Sequence, residues 1–350
     1  MTNDLDRRFL LGGLAGAAGV SALAAMTSRA HAGPLNPPAG AVAATGKTLP
    51  EIEPRTPITD ANTPGTANVL FRITQPGSYY LTGNILGFPG KSGVLIAADN
   101  VTLDLNGFAL LGVPGSGDGI AGNDVSNVTV LNGVCKGWGA TGVSFYGSAV
   151  QGIRIHGVTA ANNVNGIYVD RLAEISGCIA LNNTVTGIEA GNSSVVTGCT
   201  CCGNANGIRV GNNAWVEGNT VAGAAAWAGE GTGPGAEGIR ARIASTIVGN
   251  NVRSFAIGYR QAAAVSGEFG LCRIENNQCL SCNTAYKIEG TSNMLRSNTS
   301  ALAAAAHFNI AANNMAKVVV ATMNGAAFTN TGGTSILPTG ADTNTNLILA

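Results

Sequence analysis

The dipeptide Gly-Ile recurs along this chain at intervals that few folds accommodate. It occurs at Gly119-Ile120, Gly166-Ile167, Gly187-Ile188, Gly207-Ile208 and Gly238-Ile239. Looser copies stand at Gly142-Val143, Gly258-Tyr259, Ala285-Tyr286 and Ala306-His307. Most successive pairs are separated by a similar length of chain, and the step from Gly207 to Gly238 is the longest. A period of about 21 residues with occasional longer steps predicts a solenoid whose repeats carry surface insertions.

Each repeat contains the pattern of three short strands. After Gly166, Gly187 and Gly207, apolar residues stand one and three places on, which is the period of two that a strand requires. A second apolar patch follows eight to ten places after the glycine, and a third leads to the next repeat. Leu is not the repeating residue and no segment has a helical period, which argues against a leucine-rich horseshoe. A propeller needs longer repeats, of about 40 residues. We therefore predict an all-β, right-handed parallel β-helix solenoid of about nine or ten coils with an N-terminal cap.

A column of Asn and Cys marks one corner of every predicted coil. Cys178, Cys199, Asn219 and Asn250 stand twelve places after the repeat glycine, and Asn277 and Asn298 occupy the matching place in later coils. Asn tolerates the left-handed backbone of a sharp corner, and stacked Asn side chains hydrogen-bond along a ladder. We expect the eight cysteines to be free thiols, although Cys178 and Cys199 would be close enough for a disulfide. The Cys279-x-x-Cys282 pair lacks the strand-to-helix setting of a redox motif.

The N-terminal segment, 1–32, resembles an export signal. Arg7 and Arg8 precede a weakly apolar run, and Ala30-His31-Ala32 is an A-x-A cleavage site that predicts a mature start at Gly33. The signal is of the twin-arginine type, with an ordinary Sec signal as the alternative. We therefore expect an exported protein, located in the periplasm, on the cell surface or outside the cell. No stretch is long and apolar enough for a transmembrane segment.

Composition sets the remaining boundaries. Residues 33–59 are rich in Pro, Ala and Gly and predict a flexible linker, 60–93 predict cap strands, 94–325 the β-helix, and 326–350 a C-terminal tail or cap. Without residues 1–32 the chain has 16 Lys and Arg against 17 Asp and Glu. That balance favours neither nucleic acid nor an anionic membrane as a partner. The sequence does not predict the oligomeric state.

Two segments carry a family resemblance. The run Ala98-Asp-Asn-Val-Thr-Leu-Asp-Leu-Asn-Gly107, with the repeated Gly-Ile pairs, resembles the right-handed parallel β-helix proteins of the pectin-lyase-like group. The segment Pro76-Gly-Ser-Tyr-Tyr-Leu-Thr-Gly-Asn84 resembles the capping segment of exported bacterial β-helix proteins of unassigned activity. The resemblance covers roughly residues 65 to 325. It implies the fold, and the family includes lyases, polygalacturonases, epimerases and adhesins.

Catalytic motifs are scarce. A polygalacturonase-like site implies an Asn-Thr-Asp strand, a paired Asp-Asp and a Gly-His-Gly, and the sequence has none of them. Asp104, Asp118 and Asp124 are the closest candidates for a carboxylate pair. His156 reads as a turn residue, and His307, in the place of Ile, is expected to face inward. No zinc spacing is present.

The most suggestive feature is a column of polar residues two places after each repeat Gly. These side chains should point outward between inward Ile and Val: Ser144, Tyr168, Glu189, Arg209, Arg240, Arg260 and Lys287. Arg242 should face outward as well. The adjoining insertions, 222–237 and 262–270, carry Trp227 and Phe269. Like charges in register are unfavourable, so the column suggests either an anionic partner or pairing with Glu189, Glu230, Glu237 and Glu268.

We therefore predict a non-catalytic surface or envelope protein that binds acidic polysaccharide through Tyr168, Glu189, Arg209, Trp227, Arg240, Arg242, Arg260 and Lys287. One alternative is a polysaccharide lyase or related carbohydrate-active enzyme with Arg240 or Arg260 as base. No cofactor is predicted, and a bound calcium ion is possible only in the case of a lyase. The other alternative is a structural or adhesive spacer.

Overall fold

The structure is a computed structural model that describes residues 53–223, 236–263 and 268–316, with the backbone of four further short strands between 318 and 349. All its regular elements are strands. Twelve parallel strands form the first sheet. They are Val69–Ile73, Ser92–Ile96, Ile120–Asn123, Thr141–Tyr146, Asn165–Arg171, Thr186–Asn192, Asn206–Val210, Glu237–Ala241, Ile257–Gln261, Thr284–Ile288, Ala306–Ile310 and Phe328–Asn330. The described part of the chain has no helix of the length and apolarity that spanning a membrane requires.

The remaining strands form a larger sheet that bends into two further faces. The second face contains Thr56–Pro57, Gly77–Tyr80, Val101–Asp104, Ala173–Ser176, Val195–Thr197, Trp215–Glu217, Thr246–Val248, Arg273–Glu275, Met294–Arg296, Met315–Ala316 and Ser335–Ile336. The third contains Ile85–Leu86, Ala109–Leu111, Ile179–Leu181, Thr200–Asn204, Thr220–Gly223, Asn251–Arg253, Gln278–Leu280, Thr299–Ala301, Val318–Val320 and Asn346–Leu349. Val128–Lys136 and Ile153–Ala161 continue through both faces. Strands pair in parallel with their counterparts in the next coil, except that Thr299–Ala301 pairs with Asn346–Leu349, which also pairs with Val318–Val320. This pairing confirms the parallel β-solenoid.

The number of coils and the cap differ from the sequence-based expectation. The first sheet has twelve strands, so the solenoid makes about eleven turns. The sequence predicted about nine or ten coils. Val69–Ile73 pairs in parallel with Ser92–Ile96, and Gly77–Tyr80 with Val101–Asp104. The segment predicted as a separate cap therefore supplies strands to the same sheets as the coils that follow. Its strands lack the Gly-Ile signature, which is why the sequence did not place them in the repeat.

The repeat glycines are explained by the distance between coils. A Cβ atom on Gly166 would lie 2.4 Å from the carbonyl oxygen of Gly187, and one on Gly207 would lie 2.4 Å from that of Gly238. Real Cβ atoms essentially never approach backbone oxygen so closely. Glycine therefore allows the backbone of one coil to lie against the next at this position.

The residue after each repeat glycine forms the central column of the core. Ile120, Val143, Ile167, Ile188, Ile208 and Ile239 pair in register and are fully buried, as predicted. Tyr259, Tyr286 and Phe308 continue the column as stacked rings, with centroids 4.9 and 4.8 Å apart. Phe308, and not His307, is therefore the counterpart of the repeat Ile. His307 pairs at the glycine position, where it is still buried and hydrogen-bonded to Ser300 at 2.8 Å.

The coil corners combine a left-handed residue with a buried ladder residue. Asn219, Asn250, Asn277 and Asn298 are buried, and each of the first three donates its side-chain amide to the next Asn Oδ1 at 2.9 to 3.0 Å. The left-handed conformation belongs to the residue before each of them, such as Gly218 and Gly249. The predicted ladder is thus confirmed, whereas its left-handed backbone lies one residue earlier. Ladder hydrogen bonds satisfy amide groups that would be costly to bury alone.

All eight cysteines are free thiols, and seven of them are buried. Cys178 and Cys199 stack in the Asn column and donate to backbone oxygens at 3.4 to 3.6 Å. Burial raises the pKa of the Cys135 thiol to about 12. Thiols held in apolar surroundings are poor nucleophiles. Cys135 therefore serves as a packing residue.

Residues 1–52 lie outside the described part, and with them the predicted export signal and most of the predicted linker. The end of that linker is structured. Thr56 and Pro57 pair with Tyr79 and Tyr80 at the edge of the second face. Arg55 donates to Asp104 Oδ2 at 3.0 Å, and its guanidinium group lies 4.6 Å from the Tyr80 ring centroid. Asp104 thus holds the first strand against the solenoid.

Candidate functional site

The predicted outward column exists on the first sheet. Glu189, Arg209, Arg240, Arg260 and Lys287 pair in register on successive strands, and Tyr168 pairs with Glu189 one coil earlier. We call the four cations from Arg209 to Lys287 the cationic column; it spans about 15 Å at the usual strand spacing. Their side chains are 27 to 36% exposed. Ser144 pairs with Tyr168 but is buried, so the expectation that it faces solvent was wrong.

A hydrogen-bonded acidic group borders the cationic column at its N-terminal end. The Tyr168 hydroxyl donates to Asp170 Oδ1 at 2.5 Å, and Asp170 Oδ2 accepts from the backbone N–H of Gly147. The hydrogen bond to Asp170, burial and the charge of Glu189 raise the pKa of Tyr168 to about 12. The tyrosine therefore stays neutral and is held in place beside the cations.

One buried carboxylate lies beneath three of the arginines. The Glu237 side chain is 3% exposed and hydrogen-bonds Arg260 through Oε1. Its Oε2 lies 3.9 Å from Arg209 Nε and 3.8 Å from Arg240 Nε. Those two distances are beyond hydrogen-bond length, and all three atoms are buried without a hydrogen-bond partner among the described residues. Arg260 is consequently the only one of the three arginines that hydrogen-bonds Glu237.

Glu289 offsets the positive charge of Arg260 and Lys287 at the C-terminal end of the cationic column. Its Oε1 lies 3.0 Å from Arg260 Nη2 and 3.0 Å from Lys287 Nζ. Burial alone would raise the pKa of Glu289, but hydrogen bonds from Arg260 and Lys287 outweigh it and lower that pKa. Sequence reasoning missed Glu289. The signal was its position two places after Lys287, on the same side of an alternating strand.

The other end of the column borders a small cavity rich in arginine. It has a volume of about 220 Å³ and lies between three consecutive strands of the first sheet. Its lining includes the side chains of Arg209, Arg240, Arg242, Glu189 and Asn192. We call it the arginine pocket. No ion pair links Arg242 or Glu189 to another described residue.

Positive charge exceeds negative charge in this pocket. Burial lowers the pKa of Arg240, and the charges of Arg209, Arg260 and Arg242 lower it further against the opposing effect of Glu237. Burial would lower the pKa of Arg260, but the hydrogen bonds that Arg260 donates to Glu237 and Glu289 outweigh it and raise that pKa. The two arginines are one coil apart, yet only Arg240 lies among unbalanced cations. An anion in the pocket would relieve this imbalance.

Other candidates do not join the site. Trp227 and Glu230 lie outside the described residues. The carboxylates proposed as an acid/base pair have separate partners: Asp104 pairs with Arg55, Asp118 accepts from the Thr141 backbone, and Asp124 accepts from the Ala149 backbone. His156 Nδ1 lies 2.5 Å from Ser176 Oγ on the second face, away from the cationic column. The described residues contain no group of three or more His, Cys, Asp or Glu side chains arranged to hold a metal ion.

The fold and its outward column define this chain as a parallel β-helix protein. No protein-family model and no curated protein matches its sequence. Among solved structures, it is similar to the A-module of a mannuronan C-5 epimerase from Azotobacter vinelandii, at 12% identity and a TM-score of 0.36, over 76% of this chain and 92% of that one. It is also similar to a mutant tailspike protein of E. coli bacteriophage HK620, at 12% identity and a TM-score of 0.35, over 80% of this chain. The match spans 53% of that tailspike chain.

Proposed function

We propose that this protein binds an acidic polysaccharide on the outward face of the first sheet, along the cationic column and the arginine pocket. The observation that carries the proposal is the excess of cations there. Arg209, Arg240 and Arg242 lie together with no hydrogen bond from their guanidinium groups to any described residue. Glu237 is engaged by Arg260, so it does not neutralise all of them. Charge-assisted hydrogen bonds from Arg to carboxylate are the interactions that such a surface provides.

The spacing of the column suits an extended polymer rather than a compact ligand. Four cations on successive strands repeat about every 4.8 Å over about 15 Å. A chain with a carboxylate on each sugar can present its charges along the same direction. The exposed fractions of these side chains leave their charged ends within reach of such a chain.

The proposal is tested by titrating purified residues 33–350 with polygalacturonate, polymannuronate and neutral dextran. Binding of an acidic polymer without chemical change, and no binding of dextran, is the expected result. Absorbance from an unsaturated sugar product would instead identify a lyase. Absence of binding to every acidic polymer would leave the structural spacer as the better account.

The lyase remains the second candidate because of Arg240. Of the two arginines considered as base, Arg240 has a guanidinium group that makes no hydrogen bond to a described residue, and its pKa is lowered, mainly by burial. Arg260 is unsuited to this role because its guanidinium group is held by Glu237 and Glu289. Of Arg240 and Arg260, the two candidate bases considered from sequence, Arg240 is therefore preferred. Loss of product formation in Arg240→Ala would identify it as the base.

We further propose export by the twin-arginine route. The support is the sequence of residues 1–32 alone. Replacing Arg7 and Arg8 together by Lys should stop export, and mass measurement of the exported protein should give a mature N-terminus at Gly33. Continued export of the double variant would assign the signal to the Sec class.

A further inference from the structure

We propose that the arginine pocket is a subsite for a single sugar residue that carries a carboxylate. This inference rests on the proposed function for the ligand class, and it divides the cationic column into two parts. The part at Arg209, Arg240 and Arg242 recognises one carboxylate. The part at Arg260 and Lys287 pairs with protein carboxylates and contributes less to recognition of that single sugar residue.

Unused hydrogen-bond donors support the role of Arg209, Arg240 and Arg242 in recognising a carboxylate. Each guanidinium group has five N–H donors in a planar fork. Those of Arg209, Arg240 and Arg242 donate no hydrogen bond to a described residue, although all three side chains line one cavity. A carboxylate accepts paired N–H groups in a bidentate arrangement. Three guanidinium groups that line one cavity, with donors that no described residue accepts, therefore suit a carboxylate better than a neutral group.

Existing ion pairs support the different role assigned to Arg260 and Lys287. Arg260 lies between Glu237 and Glu289, and Lys287 pairs with Glu289. Two cations and two carboxylates leave no net charge at this end. A ligand carboxylate placed here would compete with a protein carboxylate that is already paired, so it gains less here than in the arginine pocket.

The lining and volume of the arginine pocket indicate which groups the ligand carries besides its carboxylate. Drug-sized ligands occupy sites of about 300–1,000 Å³, and a cavity of about 220 Å³ suits one ring. Glu189 lies on the side opposite Arg242, two strands away, and has no ion pair with a described residue. Its carboxylate can accept hydrogen bonds from hydroxyl groups, and it repels a second carboxylate. The preferred ligand therefore has a carboxylate at one end and hydroxyls at the other, as a uronic acid does.

The test uses three small probes with the full mature chain: galacturonate, galactose and acetate. Galacturonate should bind, acetate should bind more weakly, and galactose should not bind, as measured by ligand-observed NMR and calorimetry. Arg242→Ala should weaken galacturonate binding about tenfold or more, equivalent to about 1.4 kcal/mol. Two variants serve as comparisons. Arg253→Ala removes an exposed arginine on the third face, and both it and Lys287→Ala should weaken galacturonate binding far less than Arg242→Ala does.

Several outcomes separate the subsite from the proposed function. Binding of polygalacturonate without any binding of galacturonate would overturn the subsite and leave the proposed function standing. Equal effects of Arg242→Ala and Lys287→Ala would also overturn it. If neither the polymer nor the monosaccharide binds, both proposals fail. As a second readout, Glu189→Gln should bind acetate more tightly, because a like charge is removed; weaker acetate binding would contradict the assigned role of Glu189.

Discussion

At the scale of single residues, the decisive contact is between Glu237 and Arg260. A carboxylate with 3% exposure must be hydrogen-bonded or paired to remain charged. Arg260 supplies that hydrogen bond, whereas Arg209 and Arg240 approach the other oxygen only to 3.9 and 3.8 Å. Arginines that appear equivalent in sequence therefore have different roles. Replacing Arg240 and Arg260 together would alter stability as well as binding, so that double variant could not test binding alone.

We predict that Arg260→Ala destabilises the protein. The change leaves Glu237 buried without its hydrogen-bonding partner, and a hydrogen bond to a charged group contributes about 1.5–3 kcal/mol. Urea unfolding of the variant should show a loss of that size, whereas Arg253→Ala should change stability by less than about 0.5 kcal/mol. Adding Glu237→Gln to Arg260→Ala should recover part of the loss, because the buried charge is removed. Equal stability of the two single arginine variants would show that Glu237 does not depend on Arg260.

At the scale of the coil, stability comes from stacked inward residues with a fixed register. Ile188 is fully buried between Ile167 and Ile208 in the central column of the core. A one-residue slip of its strand would turn Glu189 inward and Ile188 outward. The same register that buries the isoleucines therefore also presents the cationic column to solvent.

We predict that Ile188→Ala costs about 2–5 kcal/mol, the sum of lost burial and a cavity in the core. Val195→Ala is the matched control, because Val195 lies on the outer side of the second face with 36% exposure. Its cost should be below about 0.5 kcal/mol. Thermal or urea unfolding of both variants provides the comparison, and similar losses for the two would contradict the assigned register.

The sequence predicted the coil well wherever the repeat glycine is present. From Gly119 to Gly258 that glycine marks a close backbone contact, so it fixes the register and hence the direction of every neighbouring side chain. The prediction failed at His307, because His307 itself stands at the glycine position and the aromatic Phe308 takes the place of Ile. It also failed for Val69–Ile73, whose strand carries no Gly-Ile pair.

The charge pairing of the site could be predicted only in part. Outward positions follow from alternation, which identified Arg209, Arg240 and Lys287. Which carboxylate reaches which guanidinium group depends on side-chain conformation across coils, and no spacing rule specifies it. Glu237 was considered as a partner from sequence and Glu289 was not, although both lie beside Arg260.

At the scale of the whole molecule, the solenoid turns a local excess of charge into a ligand-sized surface. One coil contributes one or two cations to the outward face, but successive coils align them in a single column. This is why the proposed ligand is a polymer and the proposed subsite a single ring at one end of the column. The predicted export of the chain would place that surface where acidic polysaccharides are accessible, and it remains a proposal based on residues 1–32.

The measurement that tests the central claim most directly is the affinity of mature protein for polygalacturonate as a function of salt. Exposed charges are screened over about 10 Å at 0.1 M salt and about 3 Å at 1 M. Affinity should therefore be highest at low salt and fall steadily as salt rises, with a shallower dependence in Arg242→Ala than in Arg253→Ala. Affinity independent of salt, or no binding even at about 0.01 M salt, where screening extends over about 30 Å, would contradict recognition of a polyanion by the cationic column.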